Sequence, residues 1–251
     1  MSIIYDLNCC SVSNLTAMQA AQRDFSPYLV HFTSYKAMKA VRNFVFKEFP
    51  SQAVPTEQKK PSTLISQLAK EVARKLKVAD SHSFDVVKQI LQQATIKIFS
   101  PNPKEEIPEC VCLSQCTFPG LIGHSERFGR FGFVFSVEDI FKLGGRPSLY
   151  VDQAFYGFLD KHATAENQSD RIAEIEHYWP FFNVYIPPKN GRVQDYTLER
   201  EWRVLQNIEL KGILKAMIAP EDYVNALQKQ LAQYELSVPI LPIDMLYKWG
   251  V

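Results

Sequence analysis

Two carboxylates one residue apart, Glu199 and Glu201, lie in TLEREWRVL at residues 197–205, between apolar ends that read as a strand. Alternate side chains of an extended chain share a face. Glu199, Glu201 and Arg203 therefore point one way, and Leu198, Arg200, Trp202 and Val204 the other. Like charges repel, and burial raises at least one of the two pKa values. Such a pair survives where both groups face solvent, with Arg203 pairing Glu201, or where both face a ligand. In the second case one Glu orients a polar substrate or stabilises a developing positive charge. That is the chemistry of glycosidic-type cleavage through an oxocarbenium-like state.

Three further segments carry groups of the same kind. In VHFTS, His31 and Thr33 share one strand face and Phe32 takes the other. A histidine there serves the core or the strand edge, or it donates to a ribose hydroxyl or acts as acid or base. In GHSERFGRFGFVFS, residues 123–136, glycines allow close backbone approach in a loop that leads into a strand. His124, Arg127 and Arg130 there offer donors suited to phosphate. In ECVCLSQ, Cys112 and Ser114 share a face. No G-x-S-x-G elbow marks a nucleophile, so a Ser- or Cys-based hydrolase has little support.

These residues need strands to hold them. PYLVHFTSY at 27–35 reads as the first strand, rich in aromatic and β-branched residues. Met38, Val41, Phe44 and Val45 then stripe a helix over 36–49, and the Pro- and Lys-bearing stretch 50–61 is a surface loop. A helix opens after Pro61 with Leu64, Leu68, Val72 and Leu76 on one face, and another runs over 83–93. Together they form a helical insert, about 61–95, after the first strand. Beyond it come strands at 107–116, 129–137, 147–152, 181–188 and 198–205, with a short helix at 137–144 and a helix at 155–180. The turn-forming KNGRVQDY separates the last two strands, and strand, helix and strand close the chain. An element leads in over 1–24. Strands interrupted by helices without regular βα alternation predict a single α+β domain over 1–251, with a mixed or antiparallel sheet. Neither a G-x-G-x-x-G nor a P-loop sequence is present, so any nucleotide is bound by other means.

Composition narrows the setting. The 251 residues are 46% hydrophobic and 22% charged, enough for a large core. Lys+Arg 28 against Asp+Glu 27 leaves no overall basic excess for coating nucleic acid, although a local basic groove remains open. The 17 Phe and 11 Tyr suit a well-packed interior. Five cysteines, an odd number without a secretory leader, predict a reducing, cytoplasmic setting, and no run is long enough to span a membrane. Cys110, Cys112 and Cys116 have no second pair at zinc spacing, and an alternating strand explains them without a metal.

Taken in order, YLVHFTS, ECVCLSQ, GHSERFGRFGFVFS, RPSLYVD and EREWRVL resemble the AbiGi-type abortive-infection proteins of bacterial phage defence, over most of the chain. The resemblance implies a toxin–antitoxin setting and a co-encoded toxin or antitoxin partner. The AbiGi-type half is described as the antitoxin, which acts by protein–protein binding. A more distant likeness is to ADP-ribosyltransferases, whose split sheet grips NAD. It implies NAD as substrate and a macromolecular acceptor, protein or nucleic acid. Under it, His31 matches the ribose-side histidine, Ser114 the middle-strand polar position and Glu201 the catalytic Glu. Glu199 matches the first Glu of an E-x-E pair, which helps to orient the acceptor. The middle-strand Tyr usual beside such a His has no match here, and E-x-E belongs more often with an Arg-bearing class. A third reading is a nucleotide- or nucleic-acid-binding module built on the Gly/Arg segment.

Overall fold

The computed structural model describes residues 26–33, 41, 43, 62–99, 109–152, 154–155, 157–158, 161, 177–185 and 200–248. The lead-in over 1–24, the 50–61 loop, the turn at 189–196 and Glu199 lie outside the described residues, as do most of the helices expected over 36–49 and 155–180.

The chain enters through β1 (Tyr28–Phe32) and passes to α1 (Ser62–Gln93), a single helix of 32 residues. Two helices were expected here, because the polar run Asp80–Ser83 resembles a stop followed by a new cap. The helix runs through it. Ser83 donates its hydroxyl back to the Ala79 carbonyl at 2.8 Å, and Asp80 is drawn sideways to Arg130. In chain order this helix lies between β1 and the next described strand.

After β2 (Thr95–Ile96) and β3 (Val111–Ser114) comes α2 (Phe118–Phe128), where a loop was expected. Thr117 caps it by accepting from the Gly120 N–H, a proline sits in its first turn, and Gly129 stops it at φ 122°. β4 (Gly132–Ser136) leads into α3 (Val137–Lys142), which Ser136 caps. β5 (Arg146–Pro147), β6 (Leu149–Asp152), β7 (Phe182–Tyr185), β8 (Glu201–Val204), β9 (Ile208–Glu209) and β10 (Leu214–Ala219) follow. The described chain ends with α4 (Val224–Gln233), β11 (Ile240–Pro242) and α5 (Ile243–Lys248).

Seven strands form one mixed sheet in the order β11-β10-β4-β1-β3-β8-β5. β10 and β11 are parallel and the other pairings antiparallel. Two ribbons stand apart, β2 with β9 and β6 with β7. The fold is α+β with a mixed sheet, as the strand pattern predicts.

Alternation sorts the side chains into two layers. Leu29, Leu113, Phe133, Phe135, Trp202 and Val204 face a core closed by Val87 and Leu91 of α1, Ile140 of α3 and Leu227 and Leu231 of α4. On the opposite face, Val30 and Ile218 pack with Leu121 of α2 and with Ile243 and Leu246 of α5. A Cβ at Gly132 would come within 2.7 Å of Val30 Cγ1, so the glycine lets β4 lie tightly against β1. Among the described residues, no helix is long and apolar enough to cross a membrane.

Candidate functional site

The second sheet face changes character beyond β1. Cys112 pairs with Arg203 and Ser114 with Glu201 across β3 and β8. Residues directly opposite in a ladder share a face, so these four project together, away from Trp202 and Val204. On the far side of β8, the Ser148 N–H donates to the Glu201 carbonyl at 2.8 Å. This continues the β5–β8 register and sets Ser148 opposite Glu201. A polar row, Ser114–Glu201–Ser148, thus crosses three strands.

Glu201 and Arg203 form an ion pair at 3.0 Å with side chains only 13% and 5% exposed. β8 is an interior strand, so the pair is not a solvated edge. Arg203 also donates to the Pro180 and Phe182 carbonyls at 2.9 and 3.1 Å, and the Asn183 amide donates to Glu201 Oε2 at 3.0 Å. These bonds hold the β6–β7 ribbon over the row. Burial works against the Arg203 charge, but the Glu201 carboxylate outweighs it and the guanidinium ends above its ordinary pKa. The Cys112 thiol is pushed well above the usual thiol range by its contact with Cys110, 3.6 Å away, by burial and by Glu201. Held as a thiol, it is a poor nucleophile.

The residue that feeds this strand is strained. Arg200 has φ 42°, in the left-handed region that side chains seldom adopt, and its carbonyl accepts from Gln115 N–H at 3.1 Å. Such outliers cost of order 1–3 kcal/mol and concentrate at functional sites.

The other sequence candidates fall in different places. His31 and Ser114 are on neighbouring strands, but the pairing Val30↔Ser114 puts Val30 on the Ser114 face and His31 on the opposite one, beside Leu29 and Thr33. The expected single cleft for His31, Ser114 and Glu201 is therefore not formed by their side chains. His31 Nδ1 donates to the Cys112 carbonyl at 2.9 Å, linking β1 to the strand that carries Ser114. Burial lowers its pKa, against the raising effect of that bond, and keeps it neutral. Thr33 is buried, and its hydroxyl has no hydrogen-bond partner among the described residues.

His124 and Arg127 lie on α2, not in a loop. The His124 ring meets Phe32 and Phe128 edge-on, and Arg127 lies over Phe128 at 5.0 Å. Arg130 is committed elsewhere, to Asp80 of α1 at 2.8 Å and to Asp244 of α5. The three donors are thus divided between an aromatic contact and an ion cluster, which leaves no common phosphate cradle. No cluster of three or more His, Cys, Asp or Glu suited to a metal ion occurs among the described residues.

Asn183 and Ser148 were not foreseen from sequence. Only the β6–β7 ribbon and the β5–β8 register bring them to Glu201, and neither has a local signal. Comparison with known proteins finds no matching family model, curated protein or solved structure.

Proposed function

We propose that this protein is an NAD-dependent ADP-ribosyltransferase-like component of bacterial phage defence, acting on a macromolecular acceptor. One observation carries the reading: β1, β3 and β8, which bear His31, Ser114 and Glu201, are consecutive in the sheet, with Ser114 directly opposite Glu201. The Glu201 carboxylate is oriented in advance by Arg203 and Asn183. A fixed carboxylate in a dry setting stabilises an oxocarbenium-like centre as nicotinamide leaves, without reorganising during the reaction. Ser114 supplies a hydroxyl to the same face. His31 acts from behind as a positioning residue, through its bond to the Cys112 carbonyl. Glu199 retains its role as acceptor-side carboxylate in this reading.

The test is incubation of the protein with labelled NAD and cell extract, comparing wild type with Glu201→Gln. The variant keeps the shape and the Asn183 side of the contact but loses the charge. Transfer should fall on the order of 100-fold. Equal labelling by the two proteins would refute the role of Glu201.

A second reading, a non-catalytic antitoxin that binds a co-encoded toxin, draws on the exposed Phe141 and Leu149, which flank the edge strand β5, and on Leu205 after β8. Exposed apolar groups beside a sheet edge suit a protein partner. Tight capture of the co-encoded protein by a chain that neither binds NAD nor transfers label would establish it.

A further inference from the structure

Ser148 stands out within the row. It is 8% exposed, and its hydroxyl is buried with no hydrogen-bond partner among the described residues. A buried, unsatisfied hydroxyl is costly, and native folds rarely keep one without a reason. Its backbone is fixed at both levels that matter. The N–H is bonded to the Glu201 carbonyl, and the β5–β8 register turns the side chain to the Glu201 face. The residue before it, Pro147, pairs with Trp202 and so belongs to the other face. The side chain therefore lies on the Glu201 face of the sheet and not in the core.

Nothing on that face within the described chain satisfies it. Glu201 accepts from Arg203 and Asn183, and Arg203 Nη1 donates to the Pro180 and Phe182 carbonyls. Among the described residues, the ribbon meets the row through the Asn183 amide at Glu201 and the Phe182 carbonyl at Arg203.

We infer that Ser148 is a ligand-contacting residue of the Glu201 site, its hydroxyl held in reserve for a hydrogen-bonding group of the bound dinucleotide. The inference rests on the proposal that this face takes NAD. Glu201 and Ser148 then grip the ligand from adjacent strands, one as acceptor and the other as donor or acceptor. The row thereby extends one strand beyond the residues visible in the sequence.

The experiment is titration of NAD into wild type, Ser148→Ala and Glu201→Gln, with a urea unfolding curve for each. Ser148→Ala should weaken NAD binding by about three- to tenfold, the loss of one neutral hydrogen bond, with no loss of unfolding stability. Equal NAD affinity in Ser148→Ala and wild type would overturn the Ser148 contact and leave the NAD reading standing. A marked loss of stability in Ser148→Ala would also overturn it, because the hydroxyl would then serve the fold. Wild type that binds no NAD would sink the NAD reading, and the Ser148 contact with it.

Discussion

Arg130 and Arg203 both bury a guanidinium against carboxylate, yet the two are built differently. Arg130 joins Asp80 on α1 with Asp244 on α5, helices that pack on opposite faces of the sheet, and Asp244 also accepts from the Glu221 N–H. It is a staple across layers. Arg203 pairs with Glu201, two residues away on its own strand, and spends its other donors on backbone carbonyls of the segment that covers it. The pair itself lies within one strand, and its long-range ties are those to the segment that carries Pro180, Phe182 and Asn183. Burying it is costly, and its evident product is a carboxylate fixed in direction. One cluster ties two helices across the sheet, and the other ties the ribbon to the sheet while fixing a carboxylate in direction.

The comparison is open to direct attack. Arg130→Ala leaves Asp80 and Asp244 without their cation, and should cost about 3–5 kcal/mol in urea unfolding. Arg203→Lys keeps the charge but loses the planar fork that reaches Glu201 and two carbonyls at once. It should cost about 2 kcal/mol and, if the proposed activity holds, reduce ADP-ribose transfer more than Arg130→Lys does at matched stability. If Arg130→Lys and Arg203→Lys lower transfer equally at matched stability, the distinction between staple and positioner collapses.

pH separates the two regions in sign. Burial lowers the His31 pKa from its ordinary 6.5, so the unfolded chain takes up that proton first. This contribution to stability is fully present above pH 6.5 and is lost as pH falls through the folded value. Asp80 behaves oppositely. Burial raises its pKa above the ordinary 3.8, with Arg130 only partly opposing the shift, so its contribution is present below pH 3.8 and lost as pH rises through the folded value. Urea midpoints measured across pH should flatten just below 6.5 in His31→Asn, whose amide retains a donor for the Cys112 carbonyl. In Asp80→Asn they should flatten above 3.8 and keep the His31 slope. A His31→Asn profile identical to wild type would remove the neutral, buried histidine from the account.

Much of the frame is legible in the sequence. The alternation of EWRV placed Trp202 and Val204 behind Glu201 and Arg203, and the apolar alternation of GFVFS marked β4. Signals that depend on distant partners were not legible. Asp80 and Ser83 look like helix-stop residues until Arg130 and the Ala79 carbonyl take up their side chains. Thr117, the following proline and Gly129 together spelled out α2, but Gly120 and Gly123 diluted its apolar stripe. Period-2 reasoning assigns faces within one strand only. The single pairing Val30↔Ser114 decided that His31 lies behind Ser114, and register of that kind is a long-range property. Asn183 and Ser148 reached the site by the same route.

The smallest effect is at Arg200, and it bears on whether the Glu201 region holds strain that the Arg130 region does not. Arg200 sits at φ 42° immediately before Glu201, whereas no residue beside Arg130 other than glycine has a positive φ among the described residues. A β-carbon at that angle crowds the following carbonyl, and glycine relieves it. Against this, glycine loses more backbone freedom on folding, which takes back part of the gain. Arg200→Gly should therefore be more stable than Arg200→Ala, which loses the same side-chain interactions, by about 1 kcal/mol or less in urea unfolding. The Arg200 backbone sets the angle at which β8 starts, and a freer backbone there lets Glu201 drift from its bonds to Asn183 and Arg203. If the proposed activity holds, ADP-ribose transfer should consequently fall a few-fold in Arg200→Gly relative to Arg200→Ala even as stability rises. A variant that gains stability and retains full transfer would show that the strained backbone is incidental to the position of Glu201.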